Sequence, residues 1–220
     1  CEFVDTFLKL YPDIAVILNV DADHLDYFGT LDNIITSFGK FAAKASKALI
    51  INGDDENTLK AVKRAGNADE KDIVVFGYQE SFDYYPVNIE KINGIQTKFT
   101  LMHKDEALAD ITLNVPGEHN IINAVAAAAA AHYVGASTES IQKGLYDFRG
   151  AKRRFEIIGK EKGITIADDY AHHPAELTVT LEAAMQMGYN KVWAMFQPFT
   201  YSRTSILLDD FAKALSIPDM

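Results

Sequence analysis

Apolar positions in this chain fall into two rhythms. Ile14-Ala-Val-Ile-Leu-Asn-Val20 is an almost continuous apolar run that ends at Asp21, Asp23 and His24, the pattern of a parallel strand buried on both faces. From about Leu31 to Ala45 the spacing becomes helical, with Ile34, Ile35, Phe38, Phe41 and Ala42 on one stripe. A second strand is predicted at Ala48 to Asn52, a helix at about Glu56 to Ala65, and a third strand at Asp72 to Gly77. Strand and helix alternate, which predicts a layered α/β domain.

Between Tyr84 and Val115 the texture changes to alternating segments at Val87 to Lys91, Gln96 to His103 and Ala109 to Leu113. Asn93-Gly94 is a strong hairpin signal between the first two, so a small antiparallel appendage is expected. Pro116-Gly117 ends it. An alanine-rich helix then runs from Asn120 to Val134, stopped by Gly135, and another from about Thr138 to Phe148. Glycine and clustered charge in Arg149-Gly-Ala-Lys-Arg-Arg154 interrupt the pattern, which predicts one domain over 1–149 and the start of another over 150–220. There the rhythm restarts: a strand at Ile164 to Ala167, a helix at Pro174 to Met187, a strand at Lys191 to Gln197 and a last helix at about Arg203 to Leu215. The first and second of these strands, joined by one helix, are expected to be parallel neighbours.

With 48% hydrophobic and 24% charged residues the 220-residue chain has a globular composition, and its longest apolar stretch, Ala124 to Ala131, is too short to span a bilayer. The formal net charge of −10 argues against nucleic acid or an anionic membrane as partner. A lone cysteine, Cys1, permits no internal disulfide and fits a reducing cytoplasm. The chain starts without methionine and stops at Pro218-Asp219-Met220 just after a helix, which reads as an excerpt; oligomeric state is not legible.

Ligands collect at the carboxyl ends of parallel strands, so polar residues at those exits are the first candidates for chemistry. Asn19-Val-Asp-Ala-Asp-His-Leu-Asp26 offers carboxylates and an imidazole to a cation or phosphate, against the plainer reading of a capping loop. Asp168-Asp-Tyr-Ala-His-His-Pro-Ala-Glu176 packs two acids and two histidines into six residues at a proline-started helix. In Gln197-Pro-Phe-Thr-Tyr-Ser-Arg-Thr204, Arg203 sits at a helix start, a poor place for a cation unless an anion is there too; a surface ion pair to Asp209 or Asp210 is the alternative. Asn120 and Asn123 lie three apart, followed by seven alanines in eight residues. Lys152-Arg-Arg-Phe155 suits phosphate recognition, or is a solvated linker. Neither a Gly-x-x-x-x-Gly-Lys-Ser/Thr loop nor a Gly-x-Gly-x-x-Gly fingerprint occurs in the 220 residues.

Five of these stretches occur in the order seen in one family: Cys1-Glu2, the Asn19–Asp26 string, Gly117-Glu-His-Asn-Ile-Ile-Asn123, Arg153-Arg-Phe155, and Asp168-Asp-Tyr-Ala-His-His-Pro174 with Phe196-Gln-Pro198 and Tyr201-Ser-Arg203. The chain resembles the Mur ligases over essentially its whole length, and within them the branch that charges UDP-N-acetylmuramate with L-alanine. The resemblance implies the remainder of a central ATPase domain followed by the first part of a Rossmann-like C-terminal domain. It implies an ATP-dependent amide-forming ligase of peptidoglycan precursor synthesis that works through an acyl phosphate, with magnesium as the metal. It also carries roles to residues: His24 and Glu2 as metal ligands, Asn120 and Asn123 as adenine contacts, Arg154 and Asp169 as groups holding ATP, and Tyr170, His172 and Arg203 facing the amino acid and the acyl phosphate. Many relatives have His-Arg where this chain has Phe199-Thr200. A ligase that attaches a recycled tripeptide to the same nucleotide sugar, or a folded fragment that catalyses nothing by itself, are the alternatives.

Overall fold

The computed structural model describes residues 3–92 and 95–220. Contacts divide the chain into two compact units, the first made of Cys1–Asn88, Phe99–Asp110 and Ile122–Gln142, the second of Ile89–Lys98, Ile111–Ile121 and Lys143–Met220.

In the first unit β1 (Ile14–Ile17), β2 (Ala48–Asn52) and β3 (Asp72–Phe76) pair in parallel, with Ile14 opposite Ala48 and Ala48 opposite Asp72. Two crossovers supply helices α2 (Leu31–Lys44) and α3 (Glu56–Arg64), preceded by a short α1 (Leu25–Phe28) that the sequence pattern does not announce. Each crossover helix begins where its capping residue dictates: Thr30 accepts from the Asn33 N–H and Asp55 from the Thr58 N–H, satisfying donors the first turn leaves open. Ile34, Ile35 and Ala42 of α2 and Ala61 of α3 bury against Ala15, Ile17, Leu49 and Ile51. The two helices meet at Gly39, where a Cβ would stand 2.9 Å from the Ala61 carbonyl oxygen, so only glycine permits that approach.

Burial of β1 on both faces is not what forms. Ala15 and Ile17 are buried, whereas Val16 and Leu18 on the alternate side are 39% and 41% exposed. Among the described strands β1 is an edge with one hydrogen-bonded neighbour, so it lacks the flanking cover that buries both faces of a central strand. The antiparallel segment is also less separate than its texture suggests. β4 (Tyr84–Lys91), β5 (Thr97–His103) and β6 (Glu106–Leu113) continue the same sheet in the order β1-β2-β3-β4-β5-β6, Tyr84 pairing with Phe76 of β3 in parallel. β4 starts three residues before the alternation does, because Tyr84 and Tyr85 are both buried and no alternation exists there to read. A two-residue turn, Lys104-Asp105, joins β5 to β6, a connection short enough only for antiparallel neighbours. The Asn93-Gly94 turn lies outside the described residues.

Helix α4 (His119–Tyr133) is buried along Ala124, Val125, Ala126, Ala128 and Ala129, a nearly all-round burial that small side chains make possible. α5 (Thr138–Asp147) follows.

In the second unit β7 (Glu156–Glu161) and β8 (Ile164–Asp168) form an antiparallel hairpin through Lys162-Gly163, both with positive φ. α6 (Pro174–Met185), α7 (Tyr201–Ile206) and α8 (Leu208–Ala214) complete it, with Leu177, Leu181, Phe211 and Ala214 as its core. The single last helix expected from Arg203 to Leu215 is therefore two, broken at Leu207. The strand expected at Lys191 to Gln197 is not one. Those residues alternate as a strand would, with Trp193 and Met195 at 70% and 102% exposure, and two backbone bonds tie them to Asp219 and Met220, Asp219 N–H to the Val192 carbonyl and Ala194 N–H to the Met220 carbonyl, without a ladder among the described residues. Among the described residues no helix is long and apolar enough to cross a membrane.

Candidate functional site

At the exit of β1, in the first unit, the chain passes through Asp21-Ala-Asp-His24 before α1. His24 has φ +53, a left-handed conformation that costs a non-glycine residue on the order of 1–2 kcal/mol and is retained where surroundings over-determine it. Asp23 Oδ1 accepts the His24 N–H at 2.7 Å, and Asp23 Oδ2 lies 3.6 Å from His24 Nε2, with both side chains partly open. The Phe3 ring centroid stands 5.0 Å from that of the imidazole. The Asp23 carboxylate beside the His24 imidazole would suit a divalent cation that keeps most of its waters. No group of three or more metal-binding side chains occurs among the described residues, and Glu2, the other metal candidate, lies outside them.

The start of α4 belongs to the second unit as far as Ile121. Asn120 donates from Nδ2 to the Pro116 carbonyl at 2.6 Å, closing the turn that opens the helix. Gly117 has φ +96, and the His119 ring folds so closely over it that a Cβ would lie 2.5 Å from Cε1. Desolvation against that turn, followed by opposing effects of the Asp169 carboxylate and the Arg154 guanidinium, sets the His119 imidazole below its ordinary pKa. The ring face is thus packed although the residue as a whole is exposed. Beside this turn is a cavity of about 220 Å³ lined by Lys91, Thr97, Pro116, Glu118 and Gln186. That is below the roughly 300–1,000 Å³ of ordinary ligand pockets. Asn123 follows one turn later, exposed, in the part of α4 that belongs to the first unit.

The basic cluster and the β8 exit come together within the second unit. Asp169 bridges them: one carboxylate oxygen accepts from the Phe155 N–H and the other from the Ala171 N–H, both at 2.7 Å. Tyr170 N–H donates to the Arg153 carbonyl, and the Arg153 guanidinium lies over the Tyr170 ring at 4.7 Å. Arg153 and Phe155, on either side of Arg154, both have positive φ. Glu176, to which neither the residue pattern nor the resemblance gives a role, ties the rest. It accepts the His172 N–H at 2.9 Å and faces Arg154 at 3.7 Å. His172 Nδ1 lies 2.9 Å from the Tyr170 carbonyl; a carbonyl can only accept, so Nδ1 carries the proton and Nε2 is the basic nitrogen of the neutral ring.

Arg203 occupies the first turn of α7, capped by the Thr200 hydroxyl. The strand pairing expected to bring it beside Asp169 and His172 is not made: β8 pairs with β7, and residues 191–197 join no ladder. Asp169 and His172 are brought together by local turns instead.

The Mur ligase middle domain matches residues 4–131, more than half of the chain. The chain belongs to the Mur ligase family. The Mur ligase glutamate ligase domain matches residues 153–220 of this Mur ligase. It is 42% identical, over 221 residues and 100% of its length, to UDP-N-acetylmuramate--L-alanine ligase of Caldanaerobacter subterraneus subsp. tengcongensis, covering 47% of that protein. The protein of the same name from Clostridium acetobutylicum is 45% identical over 98% of this chain and 46% of its own. Among solved structures, UDP-N-acetylmuramate-alanine ligase from Thermotoga maritima superimposes with a TM-score of 0.77 at 27% identity, over 96% of this chain and 45% of that one. This Mur ligase chain spans about half the length of the curated relatives it matches.

Proposed function

We propose that the full-length protein joins L-alanine to the lactyl carboxylate of UDP-N-acetylmuramate at the expense of ATP. The observation that carries this is identity of 39–45% across the chain to relatives named for that reaction. The γ-phosphoryl group passes to the carboxylate with release of ADP; the alanine amine attacks the resulting acyl phosphate, an amide forms, and inorganic phosphate leaves with a proton lost from nitrogen. Such chemistry is mostly positioning and charge neutralisation, and a bound magnesium ion would supply part of the neutralisation.

The residues divide by place. His24 holds the metal at the β1 exit, and Glu2 is its second protein ligand by the resemblance alone. Asn120 and Asn123 present amides to the adenine edge. Arg154 and Asp169 hold the nucleotide; the two backbone donors on Asp169 set its orientation. His172 orients the incoming amine through Nε2, beside the exposed Tyr170, and Arg203 neutralises the acyl phosphate. The division at 149 and 150 separates the two domains, and the cytoplasm, where the single cysteine stays reduced, is the site of action.

Ligation by the full-length protein, followed as phosphate release and product mass with L-alanine, glycine, L-serine and the recycled tripeptide, tests the reading. L-Alanine is expected to give the highest kcat/KM, and a preference for the tripeptide would replace this function with the recycling reaction. His24→Ala is expected to lower kcat roughly 10–100-fold, as loss of a metal-orienting group does.

A further inference from the structure

Val20 poses a problem of backbone satisfaction. It lies three residues past the end of β1 and is 1% exposed, so its N–H and C=O have neither a ladder nor water. Both are met by the first turn of α3. The Val20 N–H donates to Asp55 Oδ2 at 2.9 Å, and Asn57 Nδ2 donates to the Val20 carbonyl at 2.9 Å. Asp55 Oδ2 also accepts from the N–H and the hydroxyl of the buried Thr58, at 2.9 and 2.5 Å. Capping of α3 explains the bonds to Thr58. It explains neither the bond that reaches 35 residues back to Val20 nor the one from Asn57.

Immediately after Val20 the chain enters Asp21-Ala-Asp-His24, where the Asp23 N–H donates to the Asp21 carbonyl, the His24 N–H donates to Asp23 Oδ1, and the Phe3 ring stands 5.0 Å from the imidazole. The turn starts from a residue held on both backbone groups, with the Val20 side chain buried in the core beneath it. We propose that Asp55 and Asn57 are positioning residues that set the aim of Asp23 and His24 at the metal. The proposal rests on reading the β1 exit as the magnesium site. Neither side chain touches the ion; each acts through the backbone of Val20.

The test uses the full-length enzyme with Asn57→Ala and Asp55→Ser. Alanine at 57 leaves the cap untouched and suits a helix; serine at 55 still caps α3 but is too short to reach Val20. Binding of Mn²⁺ with ATP, followed by electron paramagnetic resonance, and the magnesium concentration for half-maximal ligation should both weaken by roughly 10–100-fold. At saturating magnesium kcat should recover to near wild type. Backbone hydrogen exchange over residues 21–24 in the metal-free protein should accelerate by more than it does at core amides of the same variant, which a mere loss of global stability would not produce. Metal affinity within twofold of wild type in Asn57→Ala overturns the proposal, whatever happens to exchange; if Asp55→Ser fails to fold, Asn57→Ala decides alone. His24→Ala separates the two levels. If it binds Mn²⁺ as wild type does, the metal reading falls and the proposal with it; if it binds weakly while Asn57→Ala binds normally, only the positioning role is lost.

Discussion

Burial pushes the Tyr84 phenol up to about 12, with the Asp83 charge adding to the effect. The residue is 4% exposed, its hydroxyl shares a hydrogen bond with His132 Nδ1 at 2.7 Å, and its ring stacks on His103 at 4.5 Å. Between about pH 10 and 12 the unfolded chain loses the phenolic proton and the folded chain keeps it, so folding binds protons and stability falls as pH rises through that window. Unfolding free energy should drop by about 1–2 kcal/mol more in wild type than in Tyr84→Phe between pH 9 and 11, measured by urea denaturation. Parallel alkaline limbs would show that the phenol is not desolvated. His103 works at the other end. Burial, then the His132 and Lys104 charges, lower its pKa against the pull of Asp83 and Glu106. Its contribution is complete above the unfolded value of about 6.5 and is lost as pH falls below it. None of this trio stood out as a group in the sequence, since a tyrosine and two histidines 19 and 29 residues apart meet only where β4, β5 and α4 pack.

At the scale of elements, the longer helices were legible because each carries its signals within a few residues, Thr30 and Asp55 as caps, Pro174 at a first turn, Gly135 and Gly188 beyond the ends, whereas the short α1 and the helix that follows the break at Leu207 begin without a capping side chain. Strands were legible only as far as their neighbours exist. Residues 191–197 have the period-two pattern and even the alternating exposure, yet they join no ladder among the described residues. Gly39 is the converse case. Inside a helix it reads as a weakness, and the packing shows it to be the contact point of α2 and α3, with Ala61 and Arg64 pressed against it. Gly39→Val should therefore destabilise by about 1–3 kcal/mol in urea denaturation, although valine is the better helix former. An unchanged midpoint would mean that the helices separate without cost.

For the whole molecule, function depends on groups spread over the chain, and Arg203 is the sharpest test of the assignment. An exposed ion pair contributes roughly 0–1 kcal/mol, up to about fivefold in rate, so an Arg203→Lys effect on kcat/KM for L-alanine of tenfold or more would mark an anion-binding role. A wild-type value would return Arg203 to the surface. Chain-local chemistry determined much here: the alternation of apolar runs and helical stripes determined the α/β class, and the ordered strings from Asn19 to Arg203 determined the family, because both are written in neighbouring residues. Tertiary structure alone decided that the antiparallel strands extend the parallel sheet, that β1 has an open side, and that Glu176 joins Arg154 to His172. It alone decided, too, that Asp55 and Asn57 grip Val20 from a helix more than thirty residues away. Periodicity records which face of an element is apolar, but not which element will cover it; a buried N–H or carbonyl takes whatever partner packing brings within about 3 Å, and that partner leaves no mark in the residues beside it.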